Sequence, residues 1–592
     1  MCGLNAIVAY AAGAPPVDRA ELVAVRDAMA VRGPDGAGEW LAPEGRVGFG
    51  HRRLSIIDLS TSAHQPMSLD SGRLTVTYNG EIYNFRELRA ELEAEGRQFR
   101  TQSDTEVLLH LYDRDGAAMV KRLRGMFAFA LWDATRRGLL LARDPFGIKP
   151  LYYADDGKTL RVASQVKALL AGRGIDRDPD PAGHAGFFLL GSVPEPHTLY
   201  RAIRALPAGC TLWTDASGVG APQPYFDVAQ TLAGCEGQVS TGMLRDHLLA
   251  SVRAHLVADV PVGIFLSAGL DSATIAALAA EITDARRLDT ITLAFDEFTG
   301  LPQDEAPLAE MVATDLGTHH VTRRVTGAAF REDRERLLAA MDQPTIDGVN
   351  IYFVAKAAAQ AGLKVALSGL GGDEMFCGYD TFQKVPRLVE TLGRIPGISV
   401  AGRLFRAMAA PVLGRVASPK AAGIFELGTR YGEAYLLRRG LFMPWELSSV
   451  MDADMARIGL ATLNLTDRLE MCHRDITAPR RKVAALEMSW YMRNQLLRDA
   501  DWAGMAHGLE IRTPLVDATL FRALAPLIGM PAGPDKRAMA QTPARMLPRA
   551  VLGRPKTGFS VPVRDWLSGE DREQERGLRG WARTVHRACW LN

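Results

Sequence analysis

The hydrophobic pattern of this chain changes period near residue 210, and that change limits what the chain can fold into. Before it, GLNAIVAY, RVGFGHRRL, LTVTYNGEIYN and the pair MFAFALWD and GLLLARDP alternate or cluster apolar residues between Gly, Asp and Asn turns, as strands do. Only FRELRAELEAEG and DTEVLLHLYDRDG, each closed by a glycine, read there as clear helices. After it, VPVGIFLS runs into DSATIAALAAEI, LDTITLAF and THHVTRRVT follow, and YFVAKAAAQAG leads into KVALSG, so strand alternates with helix. The first pattern predicts an α+β layered domain with antiparallel sheets sandwiched by helices. The second predicts an α/β domain with a parallel sheet, ligands at the carboxyl ends of its strands, and a helical C-terminal part.

At 592 residues the chain is longer than one core serves, so at least two domains are expected. A formal net charge of +1 leaves no electrostatic footprint for nucleic acid or an anionic membrane. The longest apolar-looking run, GISVAGRLFRAMAAPVLGRV, is interrupted by arginines, and no Lys or Arg precedes Arg19, so neither a membrane span nor a secretory signal is expected. The cysteines at 2, 210, 235, 377, 472 and 589 form no C-x-x-C pair, which disfavours a disulfide framework or a zinc site and points to a reducing cytoplasm.

Chemistry concentrates in a few stretches. Trimming of Met1 would leave Cys2 with thiol and α-amine on one residue, a nucleophile and its base together. In YNGEIYN, Asn79 and Gly80 offer a side-chain and a backbone donor for an oxyanion. Glu81, with Asp104 of TQSDTEV, can hold an ammonium, and Arg53 of GHRRLSIID can fork onto a carboxylate. Taken singly, these stretches are also a hairpin turn, a capped helix start and a solvated strand edge. Taken together, they suit an amino acid with a side-chain amide. Farther on, GIFLSAGLDSATIAAL sets Ser267, Gly269, Asp271 and Ser272 between a strand and a helix, where backbone N–H groups can cradle phosphate. KVALSGLGGDEMFCGY carries Ser368, Gly369, Asp373 and Glu374 in a similar position, and Asp271 with Asp373 would be hard oxygen ligands for Mg²⁺.

MCG, RGPDGAG, GHRRLSIID, YNGEIYN, SDTEV, GMFAFALWD and RDPFGIKPLYY resemble the glutaminase domain of class II glutamine amidotransferases, which are N-terminal nucleophile hydrolases. The two glycine loops, with MDQPTIDGVNIYF, NQLLRDADWAGMAHGLEIRTPLVD and LPRAVLGRPKTGFSVPV, resemble the ATP pyrophosphatase part of glutamine-hydrolysing asparagine synthetases. The resemblance implies a glutaminase domain over 1–212 and a synthetase domain over 241–570; between them 213–240 is polar, Gly-rich and without a sustained period, so it reads as a linker, and 571–592 follows as a tail. The same resemblance implies that Cys2 attacks the glutamine side-chain amide, with Arg53, Asn79, Gly80, Glu81 and Asp104 in the roles above. It also implies nucleotide contacts at Leu266, Phe295 and Gly369, and charge stabilisation by Lys556 as pyrophosphate departs. The reaction implied consumes L-aspartate, L-glutamine, ATP and water and yields L-asparagine, L-glutamate, AMP and diphosphate. A neutral ammonia would cross between the sites through a mostly apolar passage.

Some positions depart from that family. Ala268 stands where a second glycine is common, Gln165 where Glu is usual and Cys377 where Gly is usual, and DADWAGMAHG replaces an Arg-Met-Ser stretch. Leu370 is the largest departure. It fills a position that usually holds Glu or Asp, and its side chain can neither accept a proton nor donate a hydrogen bond. Amidation of a carboxylate is therefore a firmer expectation than aspartate as its source. The alternatives are another acid, such as a sugar uronate, or a glutaminase carrying a regulatory nucleotide-binding module. A homodimer stays open, and the amphipathic tail is free either to pack or to pair.

Overall fold

The computed structural model describes residues 2–234, 243–416, 418–531, 533–554, 562, 566 and 577–591. Its first half is built on two antiparallel sheets. One runs in the order Ile203–Ala205, Tyr152–Asp155, Thr159–Ala163, Gly3–Ala9, Val47–Arg53, Gly36–Leu41. The other runs Gly218–Val219, Cys210–Asp215, Gly138–Arg143, Gly125–Asp133, Leu74–Ile82, Met67–Leu69.

The strand period separates the layers. In GMFAFALWD, Ala128 and Ala130 turn toward Leu4, Ala6 and Val8 of the facing sheet, and their small size lets the sheets meet. Phe127, Phe129 and Leu131 turn the other way, onto Val107, Leu108 and Leu111 of the helix Asp104–Asp115. That helix starts because the Ser103 hydroxyl accepts from Thr105 N–H, and it stops at Gly116, whose φ is +57°. The outer face of the first sheet is covered by Val25 and Met29, beside the helix Arg19–Asp27, and by Val166. The layers are thus helix, sheet, sheet, helix.

The second half holds a five-stranded parallel sheet in the order His319–Val325, Asp289–Phe295, Val262–Phe265, Val365–Leu367, Glu510–Arg512. Helices such as Leu270–Ile282, Ala306–Leu316 and Val349–Gln360 cover it, and the rest of this half is largely helical. No helix among the described residues is long and apolar enough to cross a membrane.

Two helices go beyond the two that the sequence pattern marks in the first half. The helix Arg19–Asp27 was not anticipated, although Leu22 and Val25 are buried at helical spacing. The helix Pro181–Leu190, capped by the Asp180 carboxylate, was also not anticipated; eight of its ten residues are buried, so it has no polar face to betray it. Within the stretch expected as a linker over 213–240, the described residues to 234 carry short elements of their own. Gln223–Pro224 and Gly218–Val219 pair with Cys210–Asp215, and Val228–Ala233 is a helix whose start Asp227 caps. These pieces are too short for a period to show in the sequence.

Of the tail, the described part forms the helix Arg579–Leu591, which packs on its own chain. His586 and Trp590 rest on His184, and Arg579 pairs with Glu446 at 2.9 Å.

Candidate active site

Cys2 enters the strand Gly3–Ala9 from a buried position, 7% exposed. Its backbone N–H donates to Asn79 Oδ1 at 2.8 Å, and its Sγ lies 3.9 Å from Leu54 O. Burial pushes the Cys2 thiol pKa up, and the positive charge of the chain's amino terminus opposes it. Asn79 thereby turns its Nδ2 into the site, buried and without a hydrogen-bond partner. A buried donor left unpaired is costly unless something else accepts from it, such as a developing oxyanion. The neighbouring Gly80 is required by packing: a Cβ there would fall on Met126 O and Phe127 Cα of the adjacent strand.

Arg53 is anchored rather than waving, since it donates to Ser60 O at 2.9 Å and to Asp58 O. Both its charge and that of Glu81 reach the thiol. Asp104 Oδ2 accepts from Tyr78 Oη at 2.9 Å and from Ile82 N–H at 3.0 Å. Burial raises the Asp104 pKa, and burial with the nearby Glu510 charge raises that of Glu81 well above the ordinary carboxylate range. A bound ammonium would reverse that, because it favours the ionised forms. The structure therefore brings Cys2, Arg53, Asn79, Gly80, Glu81 and Asp104 into one region.

Asp501, Glu510 and Arg512 from the second half reach this region. Arg32 donates to Cys2 O at 3.2 Å and forks onto the Asp501 carboxylate at 2.7 and 3.1 Å, both partners being almost fully buried. Arg512, paired with Glu510 at 2.6 Å, comes within 3.7 Å of Glu81. Arg32 lay inside the RGPDGAG motif, but nothing in its neighbourhood pointed to a partner so distant in the chain.

The second constellation lines a cavity of about 470 Å³ at the carboxyl ends of the parallel strands. Leu266 N–H donates to Ile291 O at 2.9 Å and its carbonyl accepts from Thr292 Oγ1 at 2.6 Å, so the first loop leaves its strand in a fixed direction. Inside the loop, Ser267 N–H donates to Ser272 Oγ at 3.0 Å and Gly269 N–H to Ser267 Oγ at 3.1 Å. The second loop is tied by Ser368 N–H to Arg512 O at 2.8 Å. It turns at Gly371, whose φ of +91° favours glycine. The loops touch: a Cβ on Gly369 would sit 3.0 Å from Asp271 Cβ and from Ser272 N, and one on Gly372 would overlap the Asp271 carboxylate. Leu266, Ser267, Gly269, Asp271, Ser272, Ser368, Gly369, Leu370 and Asp373 all line the cavity. Phe295 ends the adjacent strand, 3% exposed.

Lys536 was not foreseen. Its Nζ lies 2.6 Å from Asp271 Oδ2 and 2.6 Å from Asp373 Oδ1, so both carboxylates converge on one point. Burial alone would lower the lysine pKa, but the two carboxylates outweigh it and hold it above the ordinary value. In sequence, GPDKRAM looks like a solvated turn. Two convergent hard oxygens suit Mg²⁺, which binds through one or two carboxylates and otherwise keeps phosphate and water oxygens. Lys556 lies outside the described residues.

The far wall comes from a π-helix, Glu487–Leu497, a rare form often found at functional sites, which supplies Tyr491 and Leu496. Tyr379 Oη donates to Glu374 Oε1 at 3.0 Å, and burial raises the Glu374 pKa to about 8. Cys377, where glycine is usual, has a φ of +53°, the left-handed conformation that glycine adopts without penalty. Ala268 is 2% exposed and lines the cavity.

Comparison with known proteins bears on both sites. A family model described as a glutamine amidotransferase domain matches residues 1–226, and one described as asparagine synthase matches 243–583. The chain belongs to the glutamine-hydrolysing asparagine synthetase family. Among relatives, it is 35% identical to a putative asparagine synthetase [glutamine-hydrolyzing] of Mycobacterium tuberculosis (strain ATCC 25618 / H37Rv), with 99% of this chain and 91% of that one covered. It is 32% identical to asparagine synthetase [glutamine-hydrolyzing] 1 of Bacillus subtilis (strain 168), over 98% of this chain and 90% of that one. It is also 32% identical to amidase chry2 of Gibberella zeae, but over 65% of this chain and 60% of that one. A member of this family with both domains is a glutamine-dependent carbon–nitrogen ligase. The antiparallel domain is its amidotransferase half and the parallel-sheet domain its synthetase half.

Proposed function

We propose that this family member amidates a carboxylic acid through an acyl adenylate, using nitrogen released from glutamine. The observation that carries this reading is the buried Arg32 fork, which joins the carbonyl of Cys2 to Asp501 of the synthetase half. It gives a physical reason for two reactive sites in one chain to work together.

In the amidotransferase half, the Cys2 thiolate attacks the glutamine amide carbon and its α-amine carries the proton to the leaving nitrogen, so ammonia departs and a thioester remains. Water then hydrolyses the thioester to glutamate and restores the thiol. Asn79 Nδ2 and the Gly80 N–H stabilise the oxyanion, Arg53 takes the glutamine carboxylate, and Glu81 with Asp104 takes its ammonium.

In the synthetase half, a carboxylate is too poor an electrophile for ammonia. Its oxygen therefore attacks the α-phosphorus of ATP, forming acyl-AMP and releasing diphosphate. Ammonia then adds to the acyl carbon, AMP leaves with the bonding pair, and one proton is lost to give the amide. Leu266, Ser267, Gly269, Ser272, Phe295, Ser368 and Gly369 would hold the nucleotide. Asp271 and Asp373 would hold Mg²⁺, which supplies charge neutralisation on the phosphates, and Lys536 would then release them. Lys556 is assigned to the departing diphosphate.

Tyr83, Met126 and Ile148 of the first half share one buried apolar cluster with Leu266 and Leu367 of the second, surroundings that favour neutral ammonia over ammonium. The convergence of Asp271 and Asp373 on one cation favours ligation over a merely regulatory nucleotide module. The test is transfer of label: glutamine carrying ¹⁵N in its side-chain amide, with ATP, Mg²⁺ and a panel of acids, is expected to yield a ¹⁵N-amide and AMP in equal amounts. Hydrolysis of glutamine with no AMP from any acid would refute the ligase.

A further inference from the structure

The arginine-punctuated stretch GISVAGRLFRAMAAPVLGRV serves neither site, yet it forms the helix Ile398–Val416. One face of that helix is committed to its own chain. Gly402 lets it approach so closely that a Cβ there would overlap Phe425 C and Glu426 N. On the same side Phe405 meets Phe425 with ring centroids 5.3 Å apart, and Arg406 pairs with Glu426 and lies over the Trp445 ring. The opposite face is open. Val400, Leu404 and Met408, spaced four residues apart and so on one side of the helix, are 61, 66 and 75% exposed. Of the described large apolar side chains exposed beyond 60%, only Met546 lies elsewhere. Ala401 and Ala407 are exposed beside them, and Ile395 is 47% exposed just before the helix. A contiguous apolar row of this kind marks an interaction surface, unlike single apolar residues scattered over a surface.

Charge says what covers it. Between Glu390 and Glu426 the sequence holds no Asp or Glu and five cations, Arg394, Arg403, Arg406, Arg415 and Lys420. Glu426 is itself engaged by Arg406 and lies 3.9 Å from Arg403. Arg394 and Arg403 are exposed, Arg403 one turn along from Val400. The net charge of +1 averages this segment away, so the basic footprint is local and invisible in the whole-chain balance. A second copy of this face would set like charge against like, since a two-fold interface pairs a patch with itself. A protein partner usually anchors on aromatic side chains, and the one aromatic of this helix, Phe405, turns inward. An anionic lipid surface needs neither, only apolar side chains set among cations.

We propose that the helix Ile398–Val416 docks the chain peripherally on an anionic membrane, with Val400, Leu404 and Met408 sunk among the acyl chains and Arg394 and Arg403 at the phosphate level. The docked segment is tied to the synthetase cavity by the helix Thr381–Leu392, which follows Tyr379 of the cavity wall. Thr381 Oγ1 donates to Glu487 of the π-helix at 2.5 Å, so this tie is held at the cavity end. Docking therefore anchors the synthetase half, and the proposal stands independently of which acid is amidated.

The experiment floats the full chain with vesicles of phosphatidylcholine alone, and of phosphatidylcholine with phosphatidylglycerol in about a 2:1 ratio. Partitioning onto the anionic vesicles is expected to exceed that onto the neutral ones by about tenfold or more at ~0.1 M salt, and to fall as salt rises. Leu404→Glu with Met408→Glu should abolish it, and Arg394→Gln with Arg403→Gln should lower it by about tenfold. In both double variants the glutaminase rate should stay unchanged, which reports a folded chain. Equal binding to the two kinds of vesicle, binding to neither, or anionic binding that survives Leu404→Glu with Met408→Glu would overturn the proposal. A dimer of the free chain that the same pair of substitutions splits would assign the face to a second copy and overturn it as well.

Discussion

The two halves build their sites in different ways. In the amidotransferase half, Cys2 and Arg53 stand at the ends of paired strands of one sheet and Asn79, Gly80 and Glu81 on a strand of the facing sheet, so register within each sheet and the packing of the two sheets set their spacing. The synthetase site is assembled at loop ends from segments spread between Asp271, Asp373 and Lys536. A site on strands is fixed by the sheet, whereas a site on loops is fixed by contacts between distant parts of the chain, here glycines that let two loops meet and a lysine that clamps them. The first should tolerate little change at few positions. The second should be sensitive at positions that look unremarkable.

The largest effect should separate the halves outright. Cys2→Ala is expected to abolish glutamine-dependent amidation while activity with added ammonia persists; undiminished glutamine hydrolysis would remove Cys2 from its role. Asp271→Asn should do the reverse, stopping diphosphate release while glutamine hydrolysis continues, so loss of both activities would mean the sites are less separable than their geometry implies. Next, Asn79→Ala should cost about 10²–10³-fold in glutaminase kcat, the loss seen when one oxyanion donor is removed. Arg32→Met tests the joint between the halves: it leaves Asp501 buried without its partner and should destabilise by about 3–5 kcal/mol, read as a lower urea midpoint. It should also lower the ratio of amide formed to glutamine hydrolysed. The smallest expected change is a gain: Cys377→Gly relieves a left-handed backbone and should stabilise by about 1 kcal/mol.

The same contrast explains what the sequence disclosed. Asn79, Gly80 and Glu81 were legible because chemistry and shape are consecutive there: Gly80 is demanded by Met126 and Phe127, and its neighbours inherit the motif. The glycine loops were legible for a similar reason, since Gly369 and Gly372 must be small for Asp271 to approach. Lys536 was not, because a lysine in a polar turn looks the same whether it meets water or two carboxylates. Neither was the Arg32 partner, 469 residues away, since burial belongs to the folded chain. The antiparallel and parallel architectures followed from period alone, while the short pairings at 218–224 gave too few residues for one.

The Arg32 fork also bears on how such a chain can be recombined. A graft that swapped either half for that of a relative would have to carry a guanidinium on one side of the seam and a carboxylate on the other. Otherwise one unneutralised charge would be stranded in a dry junction, and the carbonyl that steadies the nucleophile would lose its donor. Modularity in this molecule extends only as far as that pair is inherited together.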